Sequence, residues 1–259
     1  MAASQQHWYG RDGSSAYGST LRDARKVGLV PSVTTIEKVI AAPQLTNWMI
    51  EQALDAALTL PRMDGESLDA FKVRAREDSG RQAREAAAKG TALHDALEQY
   101  LSGESYPQEW HRHCRAVDQA LRSLNNDKCI EGIVCEASFA HPIGFGGRVD
   151  LHAPGIVIDF KGKPRIEEGK RYAYDNHARQ LAAYAVGLGI APMGYEHIAE
   201  VYGGEPLFAG VTLCNLFIGI EDAKVHVHIH TPAAAAKGWR QFRAALELWK
   251  SLNNFDPAF

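Results

Sequence analysis

Two aspartates and a lysine at strand-like spacing are the residues of this chain best placed to do chemistry. They lie in Gly147-Arg-Val-Asp150-Leu-His-Ala-Pro-Gly-Ile-Val-Ile-Asp159-Phe-Lys161. Val149, Leu151, Ile156, Ile158 and Phe160 give the apolar alternation of two short strands, with Pro154-Gly155 between them. A turn on those two residues places Asp150 directly opposite Asp159, both side chains on one face and about 5 Å apart at Cβ. Lys161, two residues further on, shares that face. Facing carboxylates repel unless something positive sits between them. A divalent cation with oxygen ligands answers that need, and a lysine beside it can polarise a phosphate or a water. Pro-Gly is not a favoured two-residue hairpin loop, and a longer turn of the same parity would shift the pairing without changing the face.

The elements on either side must position these three groups. Residues 175–188 carry Ala and Leu at helical spacing, with Gln180 and Tyr184 one turn apart on one face and His177 close to it. Upstream, Gly90-Thr91-Ala-Leu-His94-Asp-Ala-Leu-Glu98 opens a helix with a core stripe of Leu93, Ala96, Leu97, Tyr100 and Leu101, flanked by His94 and Glu98. Glu136 lies in Ile133-Val-Cys-Glu-Ala-Ser-Phe139, which reads as a first strand of the sheet. Beyond Gly203-Gly204, residues 207–218 and 223–231 read as two further strands, and Pro232 starts a helix to about Leu252 with Trp239, Phe242, Leu246 and Trp249 facing the core.

Taken together, this series resembles the PD-(D/E)xK nuclease superfamily, whose signature is an Asp, a short strand connection, then Asp or Glu, any residue, and Lys. Asp150 and Asp159-Phe160-Lys161 match it; Val149 stands where the family has Pro, at a position whose side chain is not a ligand. Gly90-Thr91, His94 and Glu98 match a Gly-Thr-x-x-His-x-x-x-Glu element, and Gln180 with Tyr184 matches the Gln-x-x-x-Tyr helix of the RecB-like branch. Pro31-Ser-Val-Thr-Thr-Ile36 followed by a helix resembles the phage and mitochondrial genome-maintenance exonucleases of that branch.

The resemblance implies an α/β fold with the restriction-endonuclease-like αβββαβ core, a central mixed sheet, extra N-terminal helices and a C-terminal helix. It implies one or two Mg²⁺ or Mn²⁺ ions on Asp150, Asp159, the backbone carbonyl of Phe160 and His94. Glu136 is a further candidate, although a solvent-facing strand glutamate explains it equally well. Lys161 would orient or deprotonate the attacking water, and Gln180 would fix Lys161 or the DNA backbone. Glu98 would support His94, and Tyr184 either touches substrate or packs its ring. The implied reaction is DNA hydrolysis leaving a 5′-phosphate and a 3′-hydroxyl, from the ends of single strands or duplexes. An endonuclease, or a non-catalytic module binding nucleic acid or a partner protein of recombination or replication, is the alternative.

Lys72, Arg74, Arg76, Arg81, Arg84 and Lys89 precede His94, and Arg74, Arg81 and Arg84 fall on one helical face, a surface that either tracks phosphates or is simply solvated. His226, His228 and His230 alternate on one strand face; neighbours there lie nearly 7 Å apart and cannot converge on one ion, so a half-exposed strand is expected instead of a zinc site. At 259 residues and 46% hydrophobic the chain can bury a full core. It reads as one domain, with 1–89 a helical extension, 90–231 the catalytic core and 232–259 a closing helix. Segment 10–18 reads as a mobile arm or turn and 60–67 as a linker. Four scattered cysteines without a Cys-x-x-Cys pair argue for a reducing compartment and against an iron–sulfur cluster. With no secretory signal and apolar runs too short for a bilayer, the expected place is the cytoplasm of a bacterial or phage-infected cell. A net charge of −3 points to salt-sensitive DNA affinity.

Overall fold

The computed structural model describes residues 7–41, 43–125, 128–191 and 208–259. The chain divides into two compact units: residues 1–39 with 94–259, and residues 40–93. The expected extension 1–89 is therefore split, because its first part pairs and packs with the later sheet.

That first part holds β1 (Trp8–Tyr9), β2 (Ser15–Ala16), α1 (Leu21–Val27), β3 (Val30–Pro31) and α2 (Val33–Glu37). The three strands form a sheet of order β2-β1-β3. Segment 10–18 is thus part of an ordered hairpin, closed by Gly10 N–H to the Ser14 carbonyl at 2.8 Å and by Asp12 accepting from Ser14. Ser32 caps α2 by accepting from Thr35 N–H at 3.0 Å.

The second unit contains α3 (Pro43–Thr59), α4 (Leu68–Ser79) and the start of α5 (Arg81–Leu101). Ser67 caps α4 by accepting from Ala70 N–H, so the expected linker ends where that helix begins. The helix expected to open at Gly90 opens nine residues earlier, at Arg81. Its alanines carry the helix through Gly90, a helical glycine costing only about 1 kcal/mol.

In the first unit, α5 is followed by α6 (His111–Leu124), β4 (Val134–His141), β5 (Phe145–Ala153), β6 (Ile156–Lys163), α7 (Asp175–Gly187), β7 (Thr212–Gly219), β8 (Val225–His230) and α8 (Pro232–Asn253). The fold is α/β, and its central sheet has five strands in the order β4-β5-β6-β7-β8. Only β6 and β7 pair in parallel, which makes the sheet mixed. β7 and the first part of β6 are largely apolar, as strands covered on both faces require. The part of the expected strand at Leu207, with Gly203-Gly204, lies outside the described residues.

Helix α7 packs along β5, β6 and β7 and against α8. Gly238 lets α8 close on α7, because a Cβ there would stand 2.8 Å from the Arg179 backbone. Trp239, Phe242, Leu246 and Trp249 all point into the core, as their spacing predicts. No described helix is long and apolar enough to cross a membrane.

Candidate metal and phosphate site

The β5–β6 hairpin turns on Pro154-Gly155, with Ala153 opposite Ile156, His152 opposite Val157 and Leu151 opposite Ile158. Gly155 supplies the left-handed second turn position with φ 73°, which resolves the objection to a Pro-Gly loop. Regular pairing stops at Leu151 and Ile158. One step further, Asp150 Oδ2 accepts the Phe160 backbone N–H at 2.6 Å. A carboxylate has taken the ladder's place there.

On its other side, Asp150 also lacks a regular partner. Strand β4 pairs with β5 in one register on both sides of Glu136, but Glu136 itself drops out of the ladder with φ 52°. A glutamate in the left-handed region costs about 1–3 kcal/mol and persists only where surroundings enforce it. The result brings one ligand atom each from His94, Glu136 and Asp150 within 4.8 Å of one another. His94 Nδ1 lies 3.4 Å from Asp150 Oδ1, and Arg148 Nε lies 2.6 Å from Glu136 Oε2.

The electrostatics are those of crowded anions. Burial, then Asp150, pushes the Glu136 carboxyl up to about 7, and the Glu98 charge adds to this. Glu98, one turn along α5 from His94, is half-buried and acts on Glu136 by its charge. Burial would lower the His94 imidazole, but Asp150 outweighs it and holds it above its ordinary value. An imidazole and two carboxylates that repel until a cation arrives are a donor set that could hold a metal ion.

Asp159 is 3% exposed and is not among the three residues whose ligand atoms converge. Its Oδ1 accepts from Lys161 Nζ at 2.8 Å and its Oδ2 from Asn215 Nδ2 at 2.7 Å. Burial pushes its carboxyl up, with Lys161 opposing. Burial works against the Lys161 ammonium, yet Asp159 and Asp150 more than offset it, so the lysine stays charged. His230 continues the chain, its Nε2 lying 2.7 Å from Asn215 Oδ1.

Sequence reading missed Asn215, His230, Glu37 and Arg179. Arg179 Nε donates to Glu37 Oε1 at 2.9 Å, and the Glu37 charge is felt at Lys161. Asn215 had one readable signal: it is the lone polar residue in the apolar run Leu213-Cys-Asn-Leu-Phe-Ile218, and a buried amide demands partners. Glu37 and Arg179 had none, because their pairing joins positions 142 apart in sequence.

Gln180 and Tyr184 are both buried, and Gln180 Nε2 donates to the Tyr184 hydroxyl at 2.8 Å. Tyr184 also packs edge-on against Phe139. Strand β8 is half-exposed as expected, with His226 and His228 half-buried and His230 turned inward. The three arginines do not form one free cationic face. Gly80 separates Arg74 on α4 from Arg81 and Arg84 on α5. Arg74 donates to both Glu66 carboxylate oxygens, Arg81 pairs with Asp78 and Glu85, and Arg84 donates to the Glu77 carbonyl. The expected face assumed one unbroken helix, and spacing does not reveal partners from a preceding loop.

His177 closes the first turn of α7, its Nδ1 accepting the Tyr174 N–H at 3.0 Å. Burial, then Lys161 and Lys163, lowers its imidazole to about 3. The unfolded chain takes up this proton near pH 6.5, and the folded chain does not. Stability from His177 is therefore complete above pH 6.5 and declines as pH falls toward 3, by up to about 1.4 kcal/mol per pH unit. Denaturant melts from pH 6.5 to 5 should show this slope, and His177→Asn, which keeps an acceptor at the helix start, should flatten it. An equal slope in both proteins would assign the acid sensitivity to other groups.

No protein-family model and no curated protein matches this chain. Among solved structures, one titled "Crystal structure of SSO0001" matches 77% of this chain and 86% of that chain, at 12% identity and a TM-score of 0.31. At that score the likeness says nothing about what this chain does.

Proposed function

We propose that this chain is a divalent-metal-dependent deoxyribonuclease built on the restriction-endonuclease-like core of the PD-(D/E)xK superfamily. The observation that carries the reading is the convergence of His94, Glu136 and Asp150 at a point where the sheet gives up regular pairing. The order α6, β4–β6, α7, β7 supports the αβββαβ reading, with α5, which carries His94, ahead of it.

His94, Glu136, Asp150, Asp159 and the Phe160 carbonyl would hold Mg²⁺ or Mn²⁺, which when bound supplies water activation and charge neutralisation at a scissile phosphate. The protein's own groups do the rest. Lys161, kept charged and aimed by Asp159, donates to a phosphate oxygen as negative charge builds on it. Asn215 holds the second Asp159 oxygen, and His230 in turn fixes the Asn215 amide, so the Lys161 anchor cannot swing. Gln180 and Tyr184, bonded to each other, form a fixed floor of α7; their part is to position the lysine end of the site.

Linear single-stranded DNA should be degraded with Mn²⁺ and spared with chelator, leaving 5′-phosphates. A covalently closed single-stranded circle of equal sequence should survive, as end-dependent action requires. Rapid cutting of the circle turns the reading into an endonuclease. Binding without cleavage under any divalent metal overturns it in favour of a non-catalytic module.

A further inference from the structure

Strand β6 does not end at Lys161. Lys163, two residues on and on the same face, reaches a cavity of about 410 Å³ formed with the loop that leads into α7. Three more cations line it: Arg165, Lys170 and Arg171. Against these four stand Glu167, paired with Lys170 at 2.6 Å, and Glu221, paired with Arg165. Lys163 and Arg171 make no ion pair among the described residues; each lies over an aromatic ring instead. In a chain of net charge −3, this is a local excess of positive charge beside the proposed site.

The second independent feature is aromatic. Tyr174 lines the same cavity and is 45% exposed, with the Arg171 guanidinium 5.4 Å from its ring centroid. A tyrosine ring, apolar in its body and polar at its tip, is a residue type enriched at interfaces. The wall between this ring and Lys161 is continuous: Tyr172 packs on Phe217, which pairs in register with Lys161, and His177 packs edge-on against Phe217. Exposed ring, stacked guanidinium and unpaired ammonium together match what a single strand offers, a base face and a phosphate.

We infer that this cavity holds a nucleotide of the single-stranded DNA substrate next to the cleaved linkage, its base on the Tyr174–Arg171 stack and its phosphate at Lys163. The inference rests on the nuclease reading and replaces the arginine run of α4 and α5 as the strand's path.

The test is binding of a labelled single-stranded DNA oligonucleotide to the full chain in chelator, where cleavage plays no part. Tyr174→Ala should weaken binding about fivefold to a hundredfold, the range for loss of one stacked base, while Tyr174→Phe stays within about twofold. An oligonucleotide lacking bases should bind wild type and Tyr174→Ala alike. Lys163→Gln should lower the slope of log K against log salt by about 0.7. Melting curves of each variant check that the fold is kept; the Tyr174 N–H that caps α7 survives substitution. If Tyr174→Ala binds like wild type while metal-dependent cleavage proceeds, this inference falls and the nuclease reading stands. If wild type neither binds nor cuts, both fall.

Discussion

Lys161→Ala is expected to lower metal-dependent cleavage by about a hundredfold to a thousandfold, the usual cost of deleting one preorganised donor aimed at developing charge. An ammonium cannot ligate a cation, so Mn²⁺ should still raise the melting temperature of the variant. Removing the ammonium also leaves Asp159 without its Oδ1 partner, and Asn215 alone to satisfy it. Some loss of metal-free stability should therefore accompany the loss of rate. Turnover within about tenfold of wild type, roughly 1.4 kcal/mol of barrier, would remove Lys161 from the chemistry. A variant that no longer responds to Mn²⁺ would make Lys161 a structural support of the metal group instead.

The two aspartates should behave differently from each other when metal is absent. From spacing alone they look equivalent, two facing carboxylates whose neutralisation relieves repulsion. Their surroundings separate them. Asp150 faces Glu136 and accepts a backbone N–H that an asparagine oxygen can equally accept, so Asp150→Asn should leave stability in chelator unchanged or raise it by up to about 1 kcal/mol. Asp159 is buried and neutralises Lys161, so Asp159→Asn strands a charge. Breaking such a pair costs about 3–5 kcal/mol when fully buried; the Lys161 side chain is 30% exposed, which brings the expected loss to about 1–3 kcal/mol. Both variants should lose Mn²⁺-induced stabilisation, which follows the ratio of free metal to Kd. Melting curves with chelator and with Mn²⁺ decide this. Equal losses in chelator would mean that Asp150 is as structural as Asp159, and wild-type Mn²⁺ stabilisation in Asp150→Asn would sink its assignment as a ligand.

Local chemistry was enough to read the hairpin, its register and the helices α7 and α8. Alternation of Val149, Leu151, Ile156 and Ile158 about Pro154-Gly155 fixes which residues share a face, and of the turn lengths compatible with it the structure has the two-residue turn. The four aromatic and leucine positions of α8 follow from a period of 3.6 for the same reason. Other features depend on contacts between distant segments. The backbone flip at Glu136 is held by the pairing of β4 with β5 before and after it, since nothing in Val-Cys-Glu-Ala-Ser asks for a positive φ. The break at Gly80 and the pairing of Arg74 with Glu66 turned an expected cationic face into locally matched charge. Asn215 meets Asp159, and His230, 15 residues further on, meets Asn215, only because β6, β7 and β8 lie side by side. Sequence thus determined which residues are available to a metal and a phosphate, because types and short-range periodicity are local properties. The tertiary structure alone decided which of them touch and how each charge is balanced, because burial and partners are set by where the sheet brings distant segments together.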